Sequence, residues 1–564
     1  MEYILLMLVI FFVIALIMVK GYIDDKKRQH KFAKWLRENP GVLPRRDGYK
    51  QEDMERMSHY LKTHEDEGFR IDAITWNDLG MDRVFQDMNY TYSAAGEEYL
   101  YYLLHTPRQE ETDLKALEEH VSFFMEHTDE RVNYQLLFAR IGKTGKHSIY
   151  EYLQYLELLG ERSNLKHYLG IAAVLLSPLV MLLSVEIGIL IVVGVLSGNI
   201  VAYFKSKKQI DPYLTSFAYI FRLMKNAEDM EKLRVPILQQ QMQQLADCRK
   251  KMNKFKSGSY ILMSPSRMNS SGNPLEALLD YLRMAFHLDL IQFNRMLSEV
   301  RKNREAIDQM VSIIGYVETV IAIGCYRVAK GDFCLPVFDA EEKRIDLRKA
   351  YHPLIEEPVK NSICTQRGVL LTGSNASGKS TFLKTAAINV LLAQTIHTCL
   401  AESYRGGLYR IFSSMALKDD LEGGDSYYIV EIKSLKRILN DTNGEGNPVL
   451  CFVDEVLRGT NTVERIAAST QILKSLAGQK VLCFAATHDI ELTHLLEKYY
   501  DNYHFEEDVI EGDIVFNYQL KNGRATTRNA IRLLGAMGYE QALIQEAEAM
   551  AGRFLKQGVW CMEK

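Results

Sequence analysis

The first residues of the chain form a long apolar run. Residues Tyr3–Val19 contain no charged side chain, and a helix needs about 17–25 such residues to cross a bilayer. A cleaved signal peptide is the alternative, but Glu2 stands where a basic residue is expected and no small-residue cleavage site follows. A buried core helix is a third interpretation, although such a helix usually keeps a polar face. We expect a transmembrane anchor over residues 1–20.

Two further apolar runs lie in the middle of the chain. They are Leu169–Leu183 and Ile187–Phe204, and only Ser184-Val185-Glu186 separates them. Two helices joined by so short a turn would cross a membrane and return, so we expect a transmembrane hairpin at residues 167–205. The first run is short for a span and contains Pro178. A buried or re-entrant hairpin is therefore the alternative.

Basic residues flank these apolar runs. The segment Lys20–Lys50 carries ten Lys and Arg against four acidic residues, and Lys205, Lys207 and Lys208 follow the hairpin. Cytoplasmic flanks are enriched in Lys and Arg, so we expect these flanks in the cytoplasm and the N-terminus outside. Residues 21–50 would form a basic juxtamembrane linker, which is either solvated or in contact with anionic lipid.

The remaining pattern divides the chain into a helical part and an α/β part. Few glycines and mixed charged and apolar positions predict helices over residues 51–166 and 206–345, the two parts of a helical core. A Ser-, Gly- and Asn-rich stretch at residues 257–274 predicts a loop in the second part. Between residues 346 and 564, apolar strand-like runs alternate with helical stretches, which predicts an α/β domain.

One stretch of the α/β part carries a phosphate-binding pattern. After the apolar run Val369–Leu371 come Gly373, four residues, and Gly378-Lys379-Ser380, which is the motif G-x-x-x-x-G-K-[ST]. Glycines let backbone N–H groups curl around an anion, and the helix N-terminus that follows adds a positive dipole. Lys379 would reach the β- and γ-phosphates of ATP, and the Ser380 hydroxyl would bind Mg²⁺. The alternative is a glycine turn with a solvated lysine.

This motif defines the loop that we expect to hold the nucleotide. Its residues are Gly373, Ser374, Asn375, Ala376, Ser377, Gly378, Lys379, Ser380 and Thr381.

Two later strands end in side chains suited to hydrolysis. Asn447–Glu455 is an apolar run ending in two acids. Asp454 would hold the hydrated Mg²⁺, and Glu455 would orient or deprotonate the attacking water. A third run leads to His488, which would reach the γ-phosphate or that water. Acids and lone histidines at strand ends are often only structural, but their position downstream of Lys379 favours a catalytic role.

Composition narrows the class of protein further. The net charge of −4 argues against a protein held to nucleic acid by bulk charge, but it leaves room for a local basic groove. The eight cysteines include no C-x-x-C pair, and several lie in apolar runs. We therefore expect buried free thiols in a reducing compartment and no metal site built from cysteine.

Several segments, in order, resemble the MutS family of DNA mismatch repair ATPases, whose nucleotide site is similar to that of ABC ATPases. The resemblance covers about Asn77–Gly552 and is dense from Ala322 onward. The segments are Tyr351-His352-Pro353-Leu354-Ile355, TGSNASGKST, LAESYRGGLYRIFSSMALKDDLEGGDSYYIVEI, VDEVLRGTNT, FAATHDIELTHL and YQLKNGRATTRNAIRLLGAMGY, with YSAAGEEYLYYLLHTP and AIGCYRVAKGDFCLPVF upstream.

The resemblance implies how the site is completed. Gly423-Gly424-Asp425-Ser426 precedes an amphipathic helix and is similar to the signature loop of the family. The Ser426 hydroxyl would meet the γ-phosphate held by Lys379 of a second subunit, so that the protein acts as a homodimer. From the residues alone, an ordinary capped helix is the alternative. The family usually has a basic residue at Asp425 and a small hydroxyl residue at Tyr427. A mismatch-reading module also has no counterpart in this sequence.

Together these features predict a multidomain protein. It would have a mostly α-helical core, a C-terminal P-loop α/β ATPase of the ABC/MutS type, and N-terminal and internal transmembrane helices. We expect a multi-pass cell-membrane protein with a cytoplasmic ATPase domain, ATP and Mg²⁺ as cofactors, and lipid in contact with three apolar segments. The resemblance adds DNA, mismatched or branched, as a partner. The alternative is a membrane-bound ABC-like ATPase that couples ATP to a membrane partner without DNA.

Overall fold

The protein divides into two compact units, which are described one at a time. Unit 1 comprises Met1–Glu65, Asn89–Tyr102 and His120–Cys325, and unit 2 comprises Asp66–Met88, Leu103–Glu119 and Tyr326–Lys564. The computed structural model describes residues 2–44, 48–65, 68–145, 147–256, 282, 284–339, 343–374, 377–415, 427–442, 444, 446–458, 460–510, 513–525, 531, 534 and 538–557.

Helices make up the described chain as far as residue 330, with three short 3₁₀ helices at Ser177–Leu182, Asp211–Tyr213 and Pro236–Leu238. The α-helices are α1 (Glu2–Glu38), α2 (Gln51–Thr63), α3 (Ala73–Leu79), α4 (Met81–Met88), α5 (Ala94–His105), α6 (Glu111–Glu126), α7 (Thr128–Ile141), α8 (Ile149–Leu158), α9 (Leu165–Leu176), α10 (Val185–Ile210), α11 (Leu214–Leu233), α12 (Gln239–Lys251), α13 (Leu288–Lys302) and α14 (Arg304–Lys330).

Helix α1 is longer than the apolar run that begins it. It continues through much of the segment that we expected as a linker and ends at Glu38, just before Pro40. Its last turn contacts α7, where Arg37 Nη2 lies 2.7 Å from Asp129 Oδ1. Only the end of the basic stretch packs on unit 1, since residues 20–31 are exposed whereas Leu36 is buried.

The apolar hairpin forms as two packed helical arms. Helix α9 and the 3₁₀ helix Ser177–Leu182 form one arm, and α10 forms the other. At about 1.5 Å per α-helical residue and 2.0 Å per 3₁₀ residue, the first arm is roughly 30 Å long, which matches a bilayer core. Pro178 is the second residue of the 3₁₀ part. A Cβ on Gly188 would lie 2.5 Å from Met181 Cγ, so glycine permits the close contact near the tip.

Three helices of the described chain are long and apolar enough to cross a membrane. The two hairpin segments, Leu165–Leu182 and Val185–Ile210, are only 6% and 17% buried within the protein. The third, α14, is 72% buried. Protein packing therefore already covers α14, whereas the hairpin leaves its apolar surface uncovered.

Helix α14 also anchors the start of α5 within unit 1. Glu318 accepts hydrogen bonds from the Tyr92 and Ser93 amides and from the Ser93 hydroxyl. These donors lie just before α5, where a helix N-terminus favours a negative charge. Burial, the largest effect, raises the pKa of Glu318 to about 7. One turn earlier on α14, Gly315 lies against the backbone of α5.

Unit 2 is built on a six-stranded sheet with the order β12-β9-β4-β8-β7-β6, in which only β12 is antiparallel to its neighbour. A second sheet has the order β1-β5-β2-β3, and β10 and β11 form a hairpin. The strands are β1 (Val337–Phe338), β2 (Ile345–Ala350), β3 (Asn361–Thr365), β4 (Gly368–Thr372), β5 (Ser403–Gly406), β6 (Arg410–Ser414), β7 (Val449–Asp454), β8 (Val481–Ala486), β9 (Tyr500–His504), β10 (Glu507–Ile510), β11 (Asp513–Phe516) and β12 (Lys521–Asn522).

Helices pack around this sheet. The helices of the C-terminal part are α15 (Lys379–Ile396), α16 (Tyr427–Asp441), α17 (Thr462–Ser475), α18 (Ile490–Leu495) and α19 (Gln541–Gln557). Strands β4 and β8 are buried at every position, as expected for central parallel strands covered on both faces.

The units differ from the domain boundaries expected at residues 166 and 345. Helix α3, expected in the helical core, packs on β6 in unit 2. There the Ser413 amide donates to Thr75 Oγ1 at 3.0 Å, and the Ser413 hydroxyl donates to Asp78 Oδ2 at 2.7 Å. These contacts join residues more than three hundred positions apart, so no local pattern predicts them.

The contact between α14 and α5 generates a test of packing. A Cβ on Gly315 would lie 2.6 Å from both Ala95 O and Tyr99 Cβ. We expect Gly315→Ala to destabilise the fold by about 1–3 kcal/mol because backbone atoms cannot move aside easily. Thermal unfolding of the purified full chain measures the loss. The control is Gly552→Ala on α19, where an added Cβ meets nothing within 4 Å. Equal melting temperatures for Gly315→Ala and the wild type would refute the contact.

Candidate functional site

The candidate site lies at the carboxyl edge of the six-stranded sheet. Strand β4 has β8 on one side and β9 on the other, and β7 follows β8. Since these four strands are parallel, the segments that follow them meet at one edge, where open α/β sheets bind ligands. The phosphate-binding motif follows β4, Glu455 follows β7, and His488 follows β8.

Two glycines shape the loop after β4. Gly373 has φ 148°, and a Cβ there would lie 2.6 Å from Phe505 O. Gly378 has φ 107°, a left-handed conformation that few other residues adopt, and α15 begins at the next residue. The Ser377 hydroxyl is buried without a hydrogen-bond partner among the described residues. A buried polar atom of this kind needs a partner, which a phosphate oxygen would provide.

Lys379 is held at the centre of the site. Its Nζ donates hydrogen bonds of 2.8 Å to both Gly373 O and Ser374 O, and only 5% of the residue is exposed. Burial, the largest effect, lowers the pKa of the ammonium, while Asp454 and Glu455 oppose that shift. The loop carbonyls therefore hold the ammonium within the loop.

A hydroxyl and a carboxylate meet beside this lysine. The Ser380 hydroxyl donates to Asp454 Oδ2 at 2.5 Å, which joins the first turn of α15 to the end of β7. Burial raises the pKa of Asp454. Hydroxyl and carboxylate oxygens are ligands that Mg²⁺ accepts. The predicted metal-binding pair is thus brought together by the fold.

Glu455 lies between His488 and Arg458. His488 Nε2 donates to Glu455 Oε1 at 2.9 Å, and Arg458 Nε lies 2.8 Å from Glu455 Oε2. Lys379 Nζ is 3.5 Å from the same histidine nitrogen. The hydrogen bond from His488 is the main reason that the pKa of Glu455 is lowered. The carboxylate is therefore ionised and fixed in orientation at neutral pH.

A cavity of about 500 Å³ opens beside these residues. Ser377, Gly378, Lys379, Ser380, Thr381, Glu455 and His488 all line it. Its far wall is formed by the segment from Ala350 to Asn361 together with Tyr518. Sites for small-molecule ligands typically have volumes of about 300–1,000 Å³. The predicted residues Asn375, Ala376 and Ser426, and the neighbouring Asp425, lie outside the described residues.

Sequence reasoning missed Glu431, which links α16 to the turn after β7. Its carboxylate accepts a hydrogen bond from the Leu457 amide. Glu455 and Leu457 have φ of 56° and 58°, a left-handed conformation that is costly for such residues. Burial raises the pKa of Glu431. A polar residue on the apolar side of an amphipathic helix was the available signal, but its partner is distant in sequence.

Two other residues around the site were not singled out. The Ser374 hydroxyl donates to Glu507 Oε2 at 2.9 Å, so β10 supports the loop. His352 lines the cavity, and its Nδ1 accepts a hydrogen bond of 3.2 Å from the Leu354 amide. Burial, aided by nearby lysines, lowers the pKa of His352 to about 4. A neutral ring therefore faces the cavity at physiological pH.

The sequence predicts buried free thiols and no metal site built from cysteine, and the described part of the chain contains most of the residues concerned. Cys248, Cys325, Cys399, Cys451 and Cys483 are buried free thiols there, whereas Cys364 is exposed. Within the same residues, no group of three His, Cys, Asp or Glu side chains is arranged to hold a metal ion. The Ser380–Asp454 pair is a different kind of arrangement, because a nucleotide and water would complete its ligand set.

Comparison with known proteins agrees with the geometry. Residues 369–554 match the family model for MutS domain V. The DNA mismatch repair protein MutS of Thermus thermophilus is 29% identical over 263 residues, which cover 46% of this chain and 32% of that protein. MutS protein homolog 4 of Mus musculus is 26% identical over 301 residues, which cover 50% of this chain and 31% of that protein.

The matches are confined to part of each relative. The chain spans about a third of the length of the curated relatives that it matches. The matched domain begins on β4 and contains the phosphate-binding loop, both acids and His488. Residues 369–554 thus match MutS domain V, and over this region the chain is similar to the MutS proteins.

Proposed function

We propose that this protein is a membrane-tethered, MutS-like ATPase that couples ATP binding and hydrolysis to DNA binding. The observation that carries the proposal is the convergence of Lys379, Glu455 and His488 beside the Ser380–Asp454 pair at one sheet edge. These five side chains come from three separate segments of the chain. Their meeting in one cavity is the arrangement that phosphoryl transfer needs.

The residues present fit a nucleotide with Mg²⁺. Ser377 and the two loop glycines suit phosphate oxygens, and the buried Lys379 supplies a positive charge. Ser380 and Asp454 would hold the magnesium ion, which neutralises phosphate charge when it is bound. The neutral His352 and Tyr518 line the far wall, where a purine ring would have flat partners.

The chain's own residues suggest how hydrolysis proceeds. Glu455 accepts hydrogen bonds as an ionised carboxylate, and His488 and Arg458 keep it from rotating. A carboxylate with a lowered pKa is a weak base, so its main task would be to orient the attacking water rather than to hold its proton. The strained turn from Glu455 to Leu457 sets this direction, and Glu431 holds that turn in place.

The resemblance to the MutS family suggests how two subunits cooperate. Helix α16 begins at Tyr427, the residue that follows Ser426 in the sequence. In the proposed homodimer, Ser426 of one subunit would close over the nucleotide bound by Lys379 of the other. Glu431 lies on this same helix and contacts the turn after Glu455. Closure of the dimer would therefore shift the turn next to Glu455 through Glu431.

DNA is the partner that the relatives favour, since the Thermus protein is a DNA mismatch repair protein by name. A second candidate is an ATPase that acts on a membrane partner without DNA. The exposed apolar hairpin favours this second function. In both cases the hairpin and the N-terminal helix would tether the protein to the membrane, with the ATPase domain in the cytoplasm.

The role of Glu455 gives the first catalytic prediction. Glu455→Gln keeps the size of the side chain but removes the negative charge that orients water. We expect it to retain ATP binding and to lower turnover by about 10²–10⁴-fold. Binding of a fluorescent ATP analogue and release of phosphate measure the two properties. The control is Glu491→Gln, an exposed residue on α18. Wild-type turnover in Glu455→Gln would refute the assignment.

Subunit complementation tests the proposed dimer. Lys379→Ala and Ser426→Arg should each abolish activity, because every site in either homodimer carries a lesion. A mixed dimer has one site with both lesions and one site with neither. Activity should return on mixing, to at most about half of the wild-type value per mixed dimer. If mixed dimers form without recovery, the two sites are either complete within one subunit or unable to act singly.

Stimulation by DNA separates the two candidate functions. If the ATPase is coupled to DNA, the phosphate release rate of the full chain should rise with homoduplex, mismatched or branched DNA. Because basic contacts to phosphates dominate such binding, stimulation should weaken steeply as salt is raised. Glu455→Gln provides the background rate. An ATPase rate that ignores all three DNA forms, in a preparation that hydrolyses ATP, would reject DNA coupling and favour a membrane partner.

A further inference from the structure

A second cavity lies in unit 1, at the open end of the hairpin. Its volume is about 660 Å³, and it is bounded by the start of α9, the end of α10 and the start of α13. Arg162, Lys166 and Gln209 line its mouth, while Ala173 and Val195 line its part nearer the hairpin tip. The cavity is therefore cationic at one end and apolar at the other.

Hydrogen bonds within unit 1 hold the walls of this cavity in place. The Asn199 side chain donates to Ala285 O at 2.7 Å, and His287 Nε2 donates to Asn199 O at 3.0 Å. His287 Nδ1 lies 3.0 Å from His167 Nδ1, so the bonds continue from α10 to α9. A Cβ on Gly170 would lie 2.5 Å from Asn199 Oδ1. The cavity is thus a preformed feature rather than a gap between loose helices.

The two cations at the mouth have no acidic partner in the described part of the chain. Arg162 makes only a weak hydrogen bond, with its Nη2 at 3.5 Å from Gln209 Oε1. Lys166 makes no ion pair with a described residue, and no described residue that lines the cavity is Asp or Glu. Asp289, the nearby acid on α13, is instead occupied by the Tyr203 hydroxyl at 2.6 Å. The cavity mouth therefore carries positive charge that an anion could neutralise.

Exposed apolar side chains continue outward from the same cavity. Leu169 is 62% exposed and Val201 is 68% exposed, although both lie on the helices that form its walls. The cationic mouth lies within about one helical turn of Leu169. An anion that also carries hydrocarbon chains would satisfy both surfaces at once.

We propose that this cavity binds one anionic glycerophospholipid. Arg162 and Lys166 would bind the phosphate, and the acyl chains would lie along the hairpin beside Ala173 and Val195. The proposal rests on the membrane placement in the proposed function, since it puts the cavity mouth at the level of lipid headgroups. It goes beyond that placement because it assigns a specific site, whereas a basic flank attracts anionic lipid only diffusely.

Lipid retention tests the site on the intact chain. The full chain in neutral detergent is incubated with equal amounts of phosphatidylglycerol and phosphatidylcholine, stripped of free lipid by gel filtration, and analysed for bound lipid by mass spectrometry. We expect retention of phosphatidylglycerol over phosphatidylcholine. The variant Arg162→Gln/Lys166→Gln should lower that retention by roughly tenfold or more, since a direct hydrogen bond from a cation to a phosphate oxygen contributes about tenfold or more in affinity.

The matched control is Lys205→Gln/Lys208→Gln. It removes the same charge at the same end of the hairpin, but neither residue lines the cavity. Retention in this control should stay near the wild-type value. An equal loss in both double variants, or equal retention of the two lipids, would reduce the binding to diffuse attraction and overturn the site.

Competition identifies the source of the anion. Excess inorganic phosphate should fail to displace the lipid, because it lacks the acyl chains; displacement would reassign the mouth to free phosphate. Displacement by a duplex oligonucleotide would reassign it to DNA.

Alkaline carbonate extraction of membranes tests separately whether the chain is embedded in the membrane. Release of the wild-type chain would refute the membrane tether, whereas a chain that stays in the membrane without lipid preference would refute the lipid site alone.

Discussion

The candidate site depends on a buried lysine whose positive charge must be balanced by nearby hydrogen-bond acceptors and acids. Taking an ammonium out of water is costly unless hydrogen bonds and opposite charge replace the solvent. Lys379 meets this condition with two loop carbonyls at 2.8 Å and with Asp454 and Glu455 nearby. These partners come from the loop after β4 and the end of β7. The need to balance one cation therefore ties the phosphate-binding loop to the acids that face it.

Side chains from neighbouring elements, including α16, also hold the backbone of the turn after β7. Glu455 and Leu457 adopt left-handed backbone conformations, which persist only where the surroundings hold them. His488 and Arg458 hold the side chain of Glu455, while Glu431 holds the Leu457 amide. Since Glu431 lies on the helix that follows the proposed signature loop, one short turn connects Glu455, the proposed water-orienting residue, to the proposed dimer contact. A movement of α16 would change both together.

The hairpin in unit 1 combines two kinds of surface. Its arms expose apolar side chains, while its open end is polar. Glycine at position 188 lets the two arms touch near the tip, and Asn199 and His287 fix the open end to the start of α13. Helix α14 shows that apolar length alone does not define a membrane span. It is similarly long and apolar but is mostly buried in protein. Exposure therefore distinguishes these helices where hydropathy cannot.

Local patterns in the sequence were enough to locate much of the fold and the site. The apolar run and motif around Gly373–Lys379 predicted β4, the loop and the start of α15, because strand burial and the glycine conformations are local requirements. The strands ending near Asp454 and His488 followed from the same reasoning, and so did the two arms of the hairpin.

Only the tertiary structure decided which residues meet. Glu431 and Leu457, Ser374 and Glu507, and Ser413 and Asp78 are partners that no periodicity predicts, since each contact joins separate elements. The contact of Arg37, at the end of α1, with Asp129 on α7 likewise joins separate elements. Propensity and hydrophobic period act over a few residues, whereas charge balance, burial and helix docking depend on neighbours brought together by the fold.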